Sequence, residues 1–138
     1  MMWDIEKAVG DNLDVTSVTS KLSSAWGTLV PIFGDMPQQQ AEVDAYFPFI
    51  TVGLVTASAF TDKDVIGTSA LMQVDVWTRA RSFKTCKEIG QACIDVLARQ
   101  SLAVPGHVTT ELEGEDYNRD PDGKTKHGIL QFRVVILE

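Results

Sequence analysis

The sequence predicts an α+β fold of two layers, a mostly antiparallel sheet with helices packed on one of its faces. Three observations point there. Residues 70–78 alternate apolar and polar side chains, as a half-buried strand does. Cys86, Ile89, Gly90, Cys93, Ile94 and Leu97 recur at helical steps and draw one core-facing stripe. Residues 108–117 and 127–137 are β-prone runs on either side of Asp120-Pro121-Asp122-Gly123, which reads as a hairpin turn.

Taken in order, residues 1–14 read as an N-terminal extension in which Ile5, Val9 and Leu13 suggest a short helix, interrupted by Gly10 and Asp11-Asn12. Residues 15–138 then form one domain. Val15, Val18, Leu22, Ala25 or Trp26, and Leu29 predict a helix with Asp14 as its N-cap and Gly27 and Pro31 at its end. Ile32 and Phe33 begin a short strand, and 34–46, with Met36-Pro37 and Gln38-Gln39-Gln40, reads as a polar loop. Residues 47–55 are strongly β-prone, with Pro48 near the start where a strand tolerates it. Residues 56–68 are small and read as a second long loop; loops of that length usually bind something or stay mobile.

In the next strand Met72, Val74 and Val76 face one way and Gln73, Asp75 and Trp77 the other. A short connection carries Arg79 and Arg81 to Ser82, placed to cap a helix that runs to about Gln100. In the final turn Pro121 presets φ, the Asp side chains bond local backbone, and Gly123 takes a positive φ. Leu130, Phe132, Val134 and Ile136 share one face of the last strand. Glu111, Glu113 and Glu115 are expected near Lys124, Lys126 and Arg133 across the hairpin.

Composition narrows the function. The chain has 138 residues, 44% of them hydrophobic and 22% charged, enough to bury one core and unlike a disordered segment. Nineteen acidic against 12 basic residues leave a formal charge of −7, which opposes binding to nucleic acid and suits a protein past which DNA must move. No apolar run is long enough to span a membrane, and residues 1–8 lack the basic start and apolar stretch of a signal peptide. On a helix Cys86 and Cys93 would stand about 10.5 Å apart along the axis, too far for a disulfide, so a reducing site of synthesis is expected.

Catalytic signatures are lacking. No phosphate-binding glycine loop, His-Glu-x-x-His or Gly-x-Ser-x-Gly is present, and the two histidines, His107 and His127, sit at strand entrances. Cys86 and Cys93 fit a buried helix face better than a zinc site. Asp116, Asp120 and Asp122 lack the spacing of a calcium loop and are crowded by Arg119, Lys124 and Lys126. The residues thus call for no catalytic centre, cofactor or metal. Arg79 and Arg81 flank a helix N-terminus, where an anion is favoured, and are candidate contacts to a carboxylate of another subunit or to a DNA phosphate; the alternative is solvated loop charge. Trp77 is either a contact to another chain, as interface tryptophans often are, or a residue packed against the helices.

From Val15 to Leu137 the chain resembles the tail-completion, or tail-terminator, proteins of long-tailed phages and prophages. The matching blocks are, in order, a helix, Phe33-Gly-Asp-Met-Pro37, Phe47-Pro-Phe-Ile-Thr-Val-Gly53, Val74-Asp-Val-Trp-Thr-Arg79 with its helix, and Arg119-Asp-Pro-Asp-Gly-Lys-Thr-Lys-His-Gly128. The resemblance implies a non-enzymatic virion protein at the head-proximal end of the tail, assembled in the host cytoplasm. It implies a ring, commonly of six copies, that caps the tail tube, ends tube polymerisation and joins the tail to the head connector. Its partners would be itself, the tube protein and the connector protein, with DNA passing through and no membrane involved. Trp77, Arg79 and Arg81 are the candidate subunit contacts, and 34–46 and 56–68 the candidate docking surfaces. Two other classes stand beside this one: another head–tail connector or minor tail component, and a small enzyme binding a phosphorylated ligand at Arg79 and Arg81.

Overall fold

A computed structural model, which describes residues 2–38 and 40–138, contains five strands and three α-helices. They are α1 (Met2–Leu13), α2 (Thr16–Thr19), β1 (Ile32–Phe33), β2 (Phe49–Asp62), β3 (Val65–Thr78), α3 (Lys84–Leu97), β4 (His107–Arg119) and β5 (Lys126–Leu137). The strands form one sheet in the order β1-β2-β3-β5-β4. Only β1 runs parallel to its neighbour; the other pairings are antiparallel. This is the two-layer α+β architecture expected from the sequence. α1 packs on β1 and β2, and α3 on β3, β5 and β4.

The core lies between sheet and helices. Met72, Val74 and Val76 of β3 and Leu130, Phe132 and Val134 of β5 are all but fully buried, and the register places Met72 opposite Phe132 and Val74 opposite Leu130. Cys86, Ile89, Cys93 and Leu97 close over them from α3. Burial in this apolar layer raises both thiols, Cys93 to about 12, so neither is ionised at neutral pH. Ser82 does not take the N-cap position expected of it: Phe83 holds that position of α3 with no side-chain cap, and Ser82 Oγ accepts the Lys84 N–H at 3.3 Å from one residue further out.

Residues 1–14, an extension in the sequence reading, contribute a whole helix to this core. Ile5, Ala8, Val9 and Leu13 of α1 are buried, and each large side chain among them is worth roughly 1.5–3 kcal/mol of burial. Asn12 Nδ2 donates to the carbonyl of Ser101 at 2.9 Å, which ties α1 to the chain beyond α3.

Two elements differ from expectation. The helix predicted from Val15 to Leu29 is only α2, followed by a 3₁₀ turn over Ser24–Trp26. Val18 and Leu22 are buried as the stripe implied, but Val15 and Leu29 are exposed. The chain leaves the helical path by Ser23, whose extended backbone turns its N–H to the Pro48 carbonyl at 3.0 Å. Thr19 Oγ1 donates to the Val15 carbonyl, while Ser23 Oγ accepts the Ala25 N–H and donates to the Ala45 carbonyl. Asp14 caps nothing: Val15 holds the N-cap position of α2 with no side-chain cap.

The predicted loop at 56–68 is instead the outer part of a long hairpin, β2 paired with β3 as far as Asp62 and Val65. A two-residue reversal at Lys63 and Asp64 connects them, with Lys63 at φ 53°. Beyond Leu54 both faces of β2 are largely open to solvent, so no apolar–polar alternation marks it as a strand. Within 34–46, 3₁₀ turns occupy Gln40–Glu42 and Asp44–Tyr46; Gln39 of the polar run lies outside the described residues.

Candidate partner-binding surface

The side chains singled out from the sequence meet at one end of the sheet, where β3 and β5 hand over to their turns. The hairpin turn there is built as its residues imply. The Asp120 carbonyl accepts the Gly123 N–H at 3.0 Å, and Gly123 sits at φ 78°. Asp122 organises the return, accepting the amides of Lys124 and Thr125 at 2.9 and 2.8 Å and the Thr125 hydroxyl at 2.6 Å. These donors, with Arg79 nearby, hold its carboxyl down to about 2.

Arg79 is engaged within the chain. Its guanidinium lies 4.2 Å from the Phe47 ring centroid, Nε donates to Thr125 Oγ1 at 3.1 Å, and one terminal nitrogen reaches Asp44 at 2.7 Å. Its side chain is only 10% exposed. Arg79 thereby clasps the 34–46 segment to the Asp120–Gly123 turn. Lys124 Nζ approaches the same Asp44 carboxylate at 3.9 Å.

Trp77 points to the face of the sheet opposite the helices, which removes the alternative of packing against them. It stacks on His127 with ring centroids 3.7 Å apart and on the buried Phe49 at 6.4 Å, and its Nε1 donates to Thr51 Oγ1 at 3.1 Å. Phe49 continues the cluster to Phe47, Phe33 and Trp26. Next to it, Asp75 binds His127 at 2.8 Å and accepts from Gln73 at 2.9 Å. The sequence pattern marked Trp77 but not these partners, because adjacency across strands depends on a register that only the fold sets.

Arg81 is exposed and has no ion-pair partner among the described residues. Arg81, Arg119 and Lys124 line one shallow concavity with the Arg79 and Lys126 side chains, a basic patch on an acidic chain. Lys126 is not the cross-strand partner of a glutamate that the sequence suggested. It is 3% exposed and donates to the Ala80 carbonyl at 2.6 Å. Arg133 does pair across the hairpin, with Glu113 through two bonds of 2.8 and 3.2 Å, whereas Glu111 meets Arg99. Glu115 accepts the Tyr117 hydroxyl. Among the described residues no group of three His, Cys, Asp or Glu side chains could hold a metal ion, and no helix is long and apolar enough to cross a membrane.

The family model for tail completion protein gp17 matches residues 17–137. The tail completion protein gp17 of Bacillus phage SPP1 is 25% identical over 137 residues, covering 96% of this chain and 91% of that protein. A chain from the virion of a native gene transfer agent particle has the same fold, with a TM-score of 0.71 at 19% identity over 97% of this chain and 95% of its own length. The family match spans most of the chain: this chain belongs to the tail completion protein gp17 family and is a structural component of a phage tail.

Proposed function

We propose that the chain caps the tail tube as a closed ring, ends tube polymerisation and presents a surface to the head connector. The family match across residues 17–137 carries this proposal. The distribution of charge supports it. A ring of chains bearing −7 each repels DNA from its lumen and keeps it mobile, while the patch of Arg81, Arg119 and Lys124 offers a local cationic surface to an acidic protein neighbour. Within that patch, Arg81 acts as the contact. Arg79 and Trp77 hold the turn end and the 34–46 segment in shape, so they support the contact through their own packing.

The test is a phage in which this gene is silenced, with particles viewed by electron microscopy. Tails of irregular length without heads are expected, restored when the chain is supplied. Tails of normal length on filled heads would overturn the proposal. Labelled particles provide the positional check: the label belongs at the upper end of the tube, and a label along the tube or inside the head connector would point to a minor tail component or an adaptor.

A further inference from the structure

The two lateral edges of the sheet are built differently. β4 forms one edge and carries charge on both faces, with Glu111, Glu113, Glu115 and Asp116 in succession. Its pairing with β5 is broken by irregularities at 107/109 and 112/114, and Arg99 N–H occupies the Thr110 carbonyl. Such an edge resists pairing with a copy of itself. The other edge has no such guard. β1 covers only Ile50 and Thr51 of β2, and Glu6 then accepts the Leu54 N–H at 3.1 Å. From Val55 to Thr61 the strand has no charged residue and no proline, and no group outside the hairpin bonds its backbone among the described residues.

Register identifies the open groups. Asp62 and Val65 flank a two-residue reversal, so they form a hydrogen-bonded pair, and pairs alternate from there. Ala57, Ala59 and Thr61 fall at the intervening positions and turn their N–H and C=O groups outward. Val55, Val65 and Ile66, at 51%, 45% and 50% exposure, add apolar surface to the same arm.

The geometry points to pairing of this β2 edge with the β4 edge of a second copy, so that the sheet continues from chain to chain around the ring. The inference rests on the ring proposed above and names the contact that closes it. The occupant follows from charge. Two β4 edges repel each other, whereas the uncharged arm can lie against β4 without placing like charges opposite. One edge joined to a different edge is the head-to-tail contact that generates a closed ring, and closure leaves no strand edge exposed.

Ala59→Pro tests it, because proline there removes an outward N–H and leaves the β3 ladder intact. The variant is expected to melt within a few degrees of the wild type yet to lower the yield of capped tails by about ten-fold or more. In tails assembled with a chain carrying both Ala59→Cys and Glu115→Cys, a short bismaleimide should give a ladder of multimers of this chain, which neither single substitution gives alone. The native cysteines are buried and contribute no background. Normal capping by Ala59→Pro, or cross-linking of the arm to tube protein instead, overturns the edge pairing and leaves the ring standing. Wild-type tails without a ring of this chain would overturn both.

Discussion

Asp122 shows how much of the turn end depends on one carboxylate. Its acidity is increased by the Thr125 hydroxyl and the amides of Thr125 and Lys124, with a smaller contribution from Arg79. A carboxyl held at about 2 in the fold, below its ordinary value of 3.8, stabilises the fold at any pH above that ordinary value. The contribution is lost as pH falls through about 2. Asp122→Asn should therefore melt below the wild type at neutral pH, and the gap should close in thermal scans carried down to that acidity. A gap that persists unchanged would mean that shape, not charge, holds the turn. Asp120-Pro121-Asp122-Gly123 was readable as a turn because each residue has a local reason to be there. The bond from Arg79 to Thr125 was not, since it links residues 46 positions apart.

Among the elements, periodicity was informative wherever a face is buried against another layer. β3 and α3 each have one buried face, and their stripes were visible in sequence. The outer half of β2 has none, and a strand wetted on both sides shows no period. Residues 15–29 failed differently: the apolar spacing was real, yet the Ser23 N–H bonds the distant Pro48 carbonyl and its hydroxyl the Ala45 carbonyl, partners that lie far along the sequence. The helical suggestion for 1–14 came from Ile5, Val9 and Leu13, and the fold seats all three in the core. Leu13→Ala should cost about 2–5 kcal/mol in chemical denaturation, as for any buried leucine. A loss under about 1 kcal/mol would show that α1 detaches without consequence for the rest of the core.

At the scale of the whole molecule, the fold is asymmetric in both layering and charge. Helices cover one face only, leaving Trp77, Asp75 and His127 on the other, and basic groups gather at one end of an otherwise acidic chain. The family was legible from the order of blocks along the sequence. The clustering of Arg81, Arg119 and Lys124 was not, because it joins the β3–α3 connection to the far hairpin.

The glutamates along β4 have a consequence for handling the protein. Their like charge opposes the pairing of one β4 edge with another, and that opposition weakens as the net charge of the chain falls. Acidification towards the sequence pI of about 4.7 should turn dilute solutions cloudy with stacked sheets. Replacing Glu111, Glu113 and Glu115 together by glutamine should bring the same scattering at neutral pH, where the parent chain stays clear. A triple variant that remains clear would place the barrier elsewhere on the molecule.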